Sequence, residues 1–298
     1  MSTKPDVSVV IPAYNRPKRL ERAVRSVLDQ QGVAFELIVV DDASSEPADA
    51  LYQELEATGH RVVRKEENTG PGPSRNLGAE LARGEWLAFL DSDDHWLSGK
   101  LTRHLESLRS SGLRIGQAEE IWYRDGERVN PPKPHRIQGG DLFARSLKAV
   151  CVSSSTVMLK RELFEEFGGF DEELFVCEDY ALWLNMAASE EFEFCEEPLV
   201  VKYGGHDDQL SKALPAMDRY RILAILKSFA GGSFRPREDL ALKEVRRKLR
   251  ILEKGSAKRG RVEAVSLCGR IASSVEGRRW NEGVDLCRSL ISLWPTRP

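Results

Sequence analysis

The stretch VSVVIPAYNR at residues 7–16 decides the fold, because a nearly continuous apolar run of strand length leads directly into polar residues. Two further runs of this kind are ELIVV at 36–40 and WLAFL at 86–90, and RVV at 61–63 is a weaker one. Apolar runs without polar alternation are typical of strands that are buried on both faces of a parallel sheet. We therefore expect these segments to form such a sheet.

Helical patterns separate the predicted strands. Between the first two strands, apolar residues recur along one face of a helix, at Leu20, Ala23, Val24, Val27 and Leu28. Pro17 stands near the first turn of this helix, and further helices are predicted at 48–57 and 73–82. The resulting βαβαβαβ order, with right-handed crossovers, indicates a doubly wound sheet.

The remaining chain is predicted to be mixed and then helical. Residues 115–123, followed by Asp125-Gly126, are typical of a hairpin. Other predicted elements are strands at 155–159 and 199–203, a helix at 180–188, and late helices at 215–229, 236–253, 261–275 and 281–293.

Charge divides the chain into two parts. Residues 212–298 carry 20 Lys and Arg against 9 Asp and Glu, so this region has a net charge of +11 although the whole chain has −3. We interpret the chain as an acidic body at 1–211 followed by a basic helical region at 212–298.

Composition excludes several classes of protein. With 298 residues, 41% hydrophobic and 31% charged, the chain is neither disordered, collagen-like nor a coiled coil. We find no apolar run of membrane-spanning length and no secretion signal, and the five cysteines include no CxxC pair. We therefore expect a cytoplasmic protein with free thiols.

Polar residues follow each predicted strand, where open parallel sheets bind their ligands. They are PAYN at 12–15, DDAS at 41–44, NTGPGPSRN at 68–76 and DSDD at 91–94. Carboxylates from these loops would repel one another in a shared crevice, so we expect a bound cation, Mg²⁺ or Mn²⁺, beside a diphosphate.

Each of these motifs also has a purely structural interpretation. Asp-Asp-x-Ser after a strand is often a helix cap, and Gly70-Pro71-Gly72 is compatible with a simple turn. DSDD resembles the start of a calcium loop but lacks its Gly and closing Glu. A Rossmann site is disfavoured because Gly-x-Gly does not follow the first strand, and a phosphatase is disfavoured because Asn15 stands where its Asp pair is usual.

The order of the motifs resembles family 2 glycosyltransferases with the GT-A fold, over about residues 5–211. The motifs are VSVVIPAYNR, ELIVVDDAS, NTGPGPSRNLG, GEWLAFLDSDD, GGFDE and EDYALWL. The resemblance implies an α/β fold, a doubly wound mixed sheet flanked by helices, followed here by a C-terminal helical extension. It also implies a catalytic domain at 1–211, with a nucleotide-sugar-binding half at about 1–97 and an acceptor-binding half at about 98–211.

The resemblance assigns a donor site to the strand ends. The implied donor-binding residues are Pro12, Tyr14, Asn15, Asp42, Arg75, Asp91 and Ser92. Among them, Asp42 would bond the base, Arg75 would lie near the base or diphosphate, and Asp91 would hold the ribose. Asp93 would bind the metal, and His206 after the last strand is a second candidate metal ligand, unless it is only a loop residue.

A general base is also required, because transfer with inversion needs a carboxylate to deprotonate the acceptor hydroxyl. The resemblance implies Asp179 in this role, although an acidic pair at a helix start is also favourable with the helix dipole. Glu178, Trp183 and Asp171 are candidate acceptor contacts; a core position for Trp183 and a turn at Asp171 are the alternatives. Family members often read EDYDLWLR, so Ala181 and Asn185 are departures that leave acceptor specificity open.

The resemblance implies an inverting, metal-dependent transferase that uses a UDP-sugar and a glycan or lipid-linked acceptor in cell-surface polysaccharide synthesis. The alternatives are an inactive relative that binds nucleotide sugar or glycan, and a sugar nucleotidyltransferase, which would need a longer basic Gly-rich loop after the first strand. The basic region 212–298 could contact an anionic membrane surface or simply pack on the catalytic domain. A nucleic-acid partner is disfavoured, since this region has few aromatics.

Overall fold

The computed structural model describes residues 4–205 and 215–294. Within them, a sheet of nine strands is flanked by helices. The strands are β1 Val7–Ala13, β2 Phe35–Asp41, β3 Arg61–Arg64, β4 Trp86–Phe89, β5 His95–Trp96, β6 Ile115–Arg124, β7 Glu127–Val129, β8 Val157–Lys160 and β9 Glu193–Gly204. The helices are α1 Pro17–Leu28, α2 Asp49–Ala57, α3 Pro71–Glu80, α4 Lys100–Ser111, α5 Phe143–Ser146, α6 Arg161–Glu166, α7 Glu178–Ala187, α8 Asp218–Ala230, α9 Glu238–Ala257, α10 Val262–Glu276 and α11 Trp280–Ser292.

The sheet order is β3-β2-β1-β4-β8-β6-β9-β5, with β7 paired to β6. The first four strands are parallel to one another, as their apolar runs predict. β8 then pairs antiparallel with both β4 and β6, so the sheet is mixed. The carboxyl ends of β1, β2, β3 and β4 therefore lie along one edge, which is where the predicted site residues were expected.

Alternate residues of the central strands enter two separate cores. Val9 packs with α1, α2 and α4 on one face, whereas Val10 packs with α3 and α7 on the other. Both residues have 0% exposure, which explains why the strand has no polar alternation. The prediction of a doubly wound α/β sheet is confirmed.

The four late helices are present at nearly the predicted positions, and they share the core on the α7 side of the sheet. Helix α8 packs on α7 and on α11. Its buried residues Ile222 and Ile225 have 0% exposure and belong to the same hydrophobic cluster as Trp183 of α7. The basic region thus adds a helical layer to the sheet.

One predicted strand differs in extent, and the predicted hairpin is present. The strand predicted at 199–203 begins earlier, at Glu193, because a register shift in its pairing with β6 leaves Glu196 and Glu197 unpaired and lets the strand continue across them. The hairpin β6–β7 turns at Asp125 and Gly126, both with positive φ (52° and 83°), as an Asp-Gly turn requires.

In the described part of the chain, no helix is long and apolar enough to span a membrane.

Candidate active site

Hydrogen bonds join the first three strand-end loops side by side. The Asn15 side-chain oxygen accepts bonds from the backbone of Ser45 and Glu46 (2.8 and 3.2 Å) in the loop after β2. Asp42 in turn accepts bonds from the backbone N–H groups of Thr69 and Gly70 (3.1 and 2.7 Å), in the loop after β3. Each loop is therefore held by the next, and in this structure Asn15 and Asp42 hold loops in place.

Two arginines complete the connection to the loop after β4. Arg75, on α3, donates a 2.6 Å hydrogen bond to Asp91 Oδ1. Arg16, after β1, donates a 3.0 Å hydrogen bond to Asp93 Oδ2. The four loops thus form a closed circle of contacts around one edge of the sheet, although they are far apart in sequence.

Arg75 also links this edge to α7. Its second nitrogen, Nη1, donates a 3.0 Å bond to Glu178 Oε1. The approach of α3 to α7 depends on Gly72, since a Cβ there would lie 3.0 Å from Cγ of Glu178. Arg75 is buried, and its charge is shared among Asp91, Glu178 and Asp179.

The pKa values of the three carboxyl groups near Arg75 shift in different directions. Burial disfavours ionisation of Asp91, but Arg75 and Lys202 outweigh it and hold the pKa of Asp91 below its usual value. Burial and repulsion by Asp179 raise the pKa of Glu178 to about 7. Burial also raises the pKa of Asp179, against the opposing effect of Arg75. The group of carboxyls therefore retains a proton near neutral pH.

The start of α7 places its acidic pair beside the strand ends. Cys177, just before the helix, has a left-handed conformation (φ 66°), which turns the chain sharply into Glu178 and Asp179. Asp179 accepts a 2.6 Å bond from the backbone N–H of Tyr180, so a carboxylate stands at the helix N-terminus. Glu178 lies inside against Arg75, while Asp179 remains partly exposed.

The acidic loop after β4 offers a set of oxygen donors for a metal. Carboxylate oxygens of Asp91, Asp93 and Asp94 lie within 4.8 Å of one another. The side chains of Asp91 and Asp93 are 28% and 14% exposed, but that of Asp94 is only 2% exposed. A group of close carboxylates fits a hard divalent cation such as Mg²⁺ or Mn²⁺.

Asp94 has an internal role. It accepts a 2.6 Å bond from Ser155 Oγ on the β8 side and a 3.1 Å bond from the backbone N–H of Tyr203 on β9. These bonds attach the acidic loop to two strands of the antiparallel half of the sheet. Asp91 and Asp93 are therefore the carboxylates of this loop that keep some exposure to solvent.

Lys202 is a site residue that the sequence reasoning missed. It lies on β9, 3.6 Å from Asp94, and donates a 2.8 Å bond to Ser153 Oγ. Burial disfavours its charge, but Asp94, Glu120 and Asp91 outweigh this and raise the pKa of Lys202. The available signal was a lone cation in the apolar strand LVVKY (199–203). Arg16 was missed as well, although it ends the first motif.

The remaining donor residues stand where the strands end. Pro12 is a buried residue of β1, paired with Val40 of β2. Tyr14 is 44% exposed beyond the end of that strand, whereas Ser92 in the acidic loop is buried. An exposed aromatic ring at a crevice edge is suited to stacking on a flat ligand.

The candidate acceptor residues Trp183 and Asp171 have different surroundings. Trp183 is 2% exposed and packs edge to face on Phe170 at 5.6 Å, an environment that favours a core role. Asp171 forms a 2.6 Å ion pair with Lys227 of α8. The loop that carries Asp171 is fastened by Asn76, which bonds both the N–H and the C=O of Phe170. His206 lies outside the described residues.

Comparison with known proteins gives a consistent family. The profile described as "Glycosyl transferase family 2" matches residues 8–168. The chain is 40% identical over 111 residues to the succinoglycan biosynthesis protein ExoO of Rhizobium meliloti (strain 1021), covering 37% of this chain and 32% of that protein. It is 35% identical over 164 residues to the putative teichuronic acid biosynthesis glycosyltransferase TuaG of Bacillus subtilis (strain 168), covering 53% of this chain and 64% of that protein. The chain thus spans less than two thirds of the length of either relative.

A solved structure extends the match in fold to nearly the whole chain. S. aureus TarS 1-349, in complex with UDP, superimposes with a TM-score of 0.69 at 15% identity, over 98% of this chain and 93% of that one. The GT-A fold and its C-terminal helices are therefore shared, as the sequence motifs predicted. Since the family profile covers more than half of the 298 residues, this chain belongs to glycosyl transferase family 2.

Proposed function

We propose that this protein is an inverting, metal-dependent glycosyltransferase that transfers a sugar from a UDP-sugar to a hydroxyl group of a glycan or lipid-linked acceptor. The observation that carries the proposal is the double contact of Arg75, which holds Asp91 of the acidic loop at 2.6 Å and Glu178 at 3.0 Å. This contact supports the proposal because it brings the acidic loop, where the diphosphate would bind, next to the start of α7, which carries the proposed base.

The donor would lie across the circle of loops. Tyr14, exposed at the rim, is suited to the flat base, and Asp91 to the ribose hydroxyls. Arg75 and Arg16 supply positive charge next to the acidic loop, where a diphosphate needs it. Asp42 would contact the base only if one of its oxygens also accepts a bond from the ligand, because both already hold loop N–H groups.

Asp93, with Asp91 beside it, would hold the divalent cation. When bound, this cation supplies positive charge that stabilises the leaving diphosphate. Asp94 beneath them keeps the loop attached to β8 and β9 through Ser155 and Tyr203.

Asp179 would act as the general base. Its carboxylate would take the proton from the acceptor hydroxyl while the hydroxyl oxygen attacks the anomeric carbon from the face opposite the diphosphate. The C–O bond to the diphosphate then breaks, and the configuration at that carbon is inverted. Glu178 would position Arg75 and, by its own charge, adjust the pKa of Asp179.

The proposal of a UDP-sugar rests on the solved relatives, since TarS has been described in complexes with UDP and with UDP-GlcNAc. The proposal of cell-surface polysaccharide synthesis rests on the names of ExoO and TuaG, which refer to succinoglycan and teichuronic acid. Both extend to this chain what is stated of those proteins.

We also propose a peripheral contact of the C-terminal helices with the inner face of an anionic membrane, where a lipid-linked acceptor would be available. Val262 is 79% exposed and Ile251 is 49% exposed. Lys258, Arg259 and Arg261 are also exposed and lie between these two residues in the chain. Exposed apolar side chains among cations are what a membrane interface binds.

A donor screen tests the proposed function. Nucleotide sugars are added to purified protein with and without Mn²⁺, and thermal stabilisation and release of the nucleoside diphosphate are measured. We expect metal-enhanced stabilisation by one UDP-sugar and turnover when an acceptor is present. Stabilisation without any hydrolysis or transfer would instead support the inactive relative.

A further inference from the structure

A cavity of about 380 Å³ lies away from the strand ends, between the start of α8 and the end of α9. Its polar and aromatic lining consists of Asp218, Arg221, Ser256, Arg259, Arg261 and Trp294. The proposed donor and acceptor chemistry uses none of these residues, so the cavity requires its own explanation.

The charges at the cavity are unbalanced. Among the residues that the structure describes, three arginines line it against a single carboxylate, Asp218. That carboxylate is already engaged, since Arg221 contacts it at 3.1 Å and the buried Lys248 at 3.2 Å. In the described part of the chain, Arg259 donates a hydrogen bond only to the backbone oxygen of Gly255, and Arg261 is exposed next to Trp294. An anion that entered the cavity would therefore meet excess positive charge.

A buried cation stands immediately behind this lining. Arg219 is 0% exposed, and no hydrogen-bond acceptor within residues 4–205 and 215–294 reaches any of its three guanidinium nitrogens. It lies 4.8 Å from the centre of the Trp294 ring, which Arg261 approaches at the same distance. Aromatic rings compensate only part of the cost of burying a charge, so the region around Trp294 favours an anion.

We propose that this cavity binds a phosphate group. Guanidinium groups match tetrahedral oxyanions with paired N–H donors, and several of them around one cavity favour a dianionic group over a single carboxylate. The volume is sufficient for a phosphate or a diphosphate with part of the molecule that carries it. This site is separate from the donor site, and it holds whether or not the chain is a transferase.

The test measures binding of inorganic pyrophosphate by calorimetry in EDTA, so that no metal can hold the anion at the acidic loop. The double variant Arg259→Gln/Arg261→Gln removes two exposed cations of the cavity. The matched control, Arg246→Gln/Arg270→Gln, removes two exposed cations of the flanking helices α9 and α10 that do not line it. We expect the first pair to weaken binding by about tenfold or more and the control by less than twofold.

A second arm distinguishes the source of the phosphate. Sedimentation is measured with vesicles of phosphatidylglycerol and of phosphatidylcholine for the same variants. Loss of pyrophosphate binding in the cavity variant supports a site for a free phosphate compound. Loss confined to phosphatidylglycerol vesicles supports a lipid headgroup in the same cavity. Equal effects of both variant pairs in both arms, or wild-type binding by the cavity variant in both arms, would overturn the proposal.

Discussion

Arg75 donates a 3.0 Å hydrogen bond to Glu178 and so joins two motifs that are 103 residues apart in the chain. The same guanidinium holds Asp91 at 2.6 Å, so one buried cation serves the acidic loop and the start of α7 together. Since Asp179 adds a third carboxyl group, one positive charge faces three acids, and one of them keeps its proton near neutral pH.

The first prediction concerns the pH dependence of transfer. A base must be ionised, and burial raises the pKa of Asp179, so the rate of wild-type protein should rise with pH as Asp179 loses its proton. Glu178→Gln removes a negative neighbour of Asp179, lowers the pKa of Asp179, and should move the rising limb to lower pH. Profiles of kcat/KM measure this, with the exposed Glu106→Gln as control. A rising limb that does not move would show that Glu178 has no effect on the pKa of the base.

The second prediction concerns stability at different pH values. Burial raises the folded-state pKa of Glu178 to about 7, above its unfolded value, so its contribution is present at low pH and is lost as pH rises through 7. Glu178→Gln stays neutral throughout. Its free energy of unfolding relative to wild type should therefore increase from pH 5.5 to pH 8, by an amount on the order of 1–3 kcal/mol. A constant difference across this range would contradict the raised pKa.

The third prediction separates binding from chemistry at Asp179. Asp179→Asn removes the base but keeps the side-chain volume, so UDP-sugar affinity should persist while transfer falls by roughly 10²–10⁴-fold. Donor titrations and initial rates measure the two quantities. Hydrolysis of the donor should fall less than transfer, because water is a different nucleophile. Turnover close to wild type would exclude Asp179 as the base.

The fourth prediction concerns the metal. Asp93→Ala should abolish the enhancement of UDP binding by Mn²⁺ and also abolish transfer, because it removes a carboxylate of the acidic loop that keeps some exposure to solvent. The fold should persist, since the residue lies in a surface loop and loses one ion pair with Arg16. Thermal shift with UDP, with and without Mn²⁺, measures both the persistence of the fold and the metal-enhanced binding, and initial rates measure transfer. The exposed Asp29→Ala serves as control, and unchanged metal enhancement in the Asp93 variant would refute the assignment.

The fifth prediction concerns the membrane surface. Val262→Asp places a charge at the most exposed apolar residue of the C-terminal helices and should reduce sedimentation with anionic vesicles, with little loss of stability. Binding by wild type should weaken as salt is raised. Glu263→Gln, at the exposed neighbouring position, is the control. Equal sedimentation of wild type with neutral and anionic vesicles would leave only a packing role for these helices.

The sequence alone determined the parallel half of the sheet, because strands buried on both faces are almost entirely apolar. The runs at 7–11, 36–40 and 86–90 have this composition. It also determined the hairpin, since the Asp-Gly pair at residues 125 and 126 can adopt the two positive φ values that its turn requires. The late helices followed from their apolar periodicity. Such features depend on residues close together in the chain, and the motifs between them indicated the site.

The tertiary structure decided which side chains in the site touch. Lys202 reaches the acidic loop only because β9 pairs with β5 and β6, and no local pattern encodes that pairing. Trp183 turned out to be a core residue because Phe170 and the late helices cover it. The contact between Arg75 and Glu178 likewise forms because the fold brings α3 and α7 together. Local sequence sets periodicity and turns, whereas the charge balance around a buried group depends on neighbours that only long-range packing supplies.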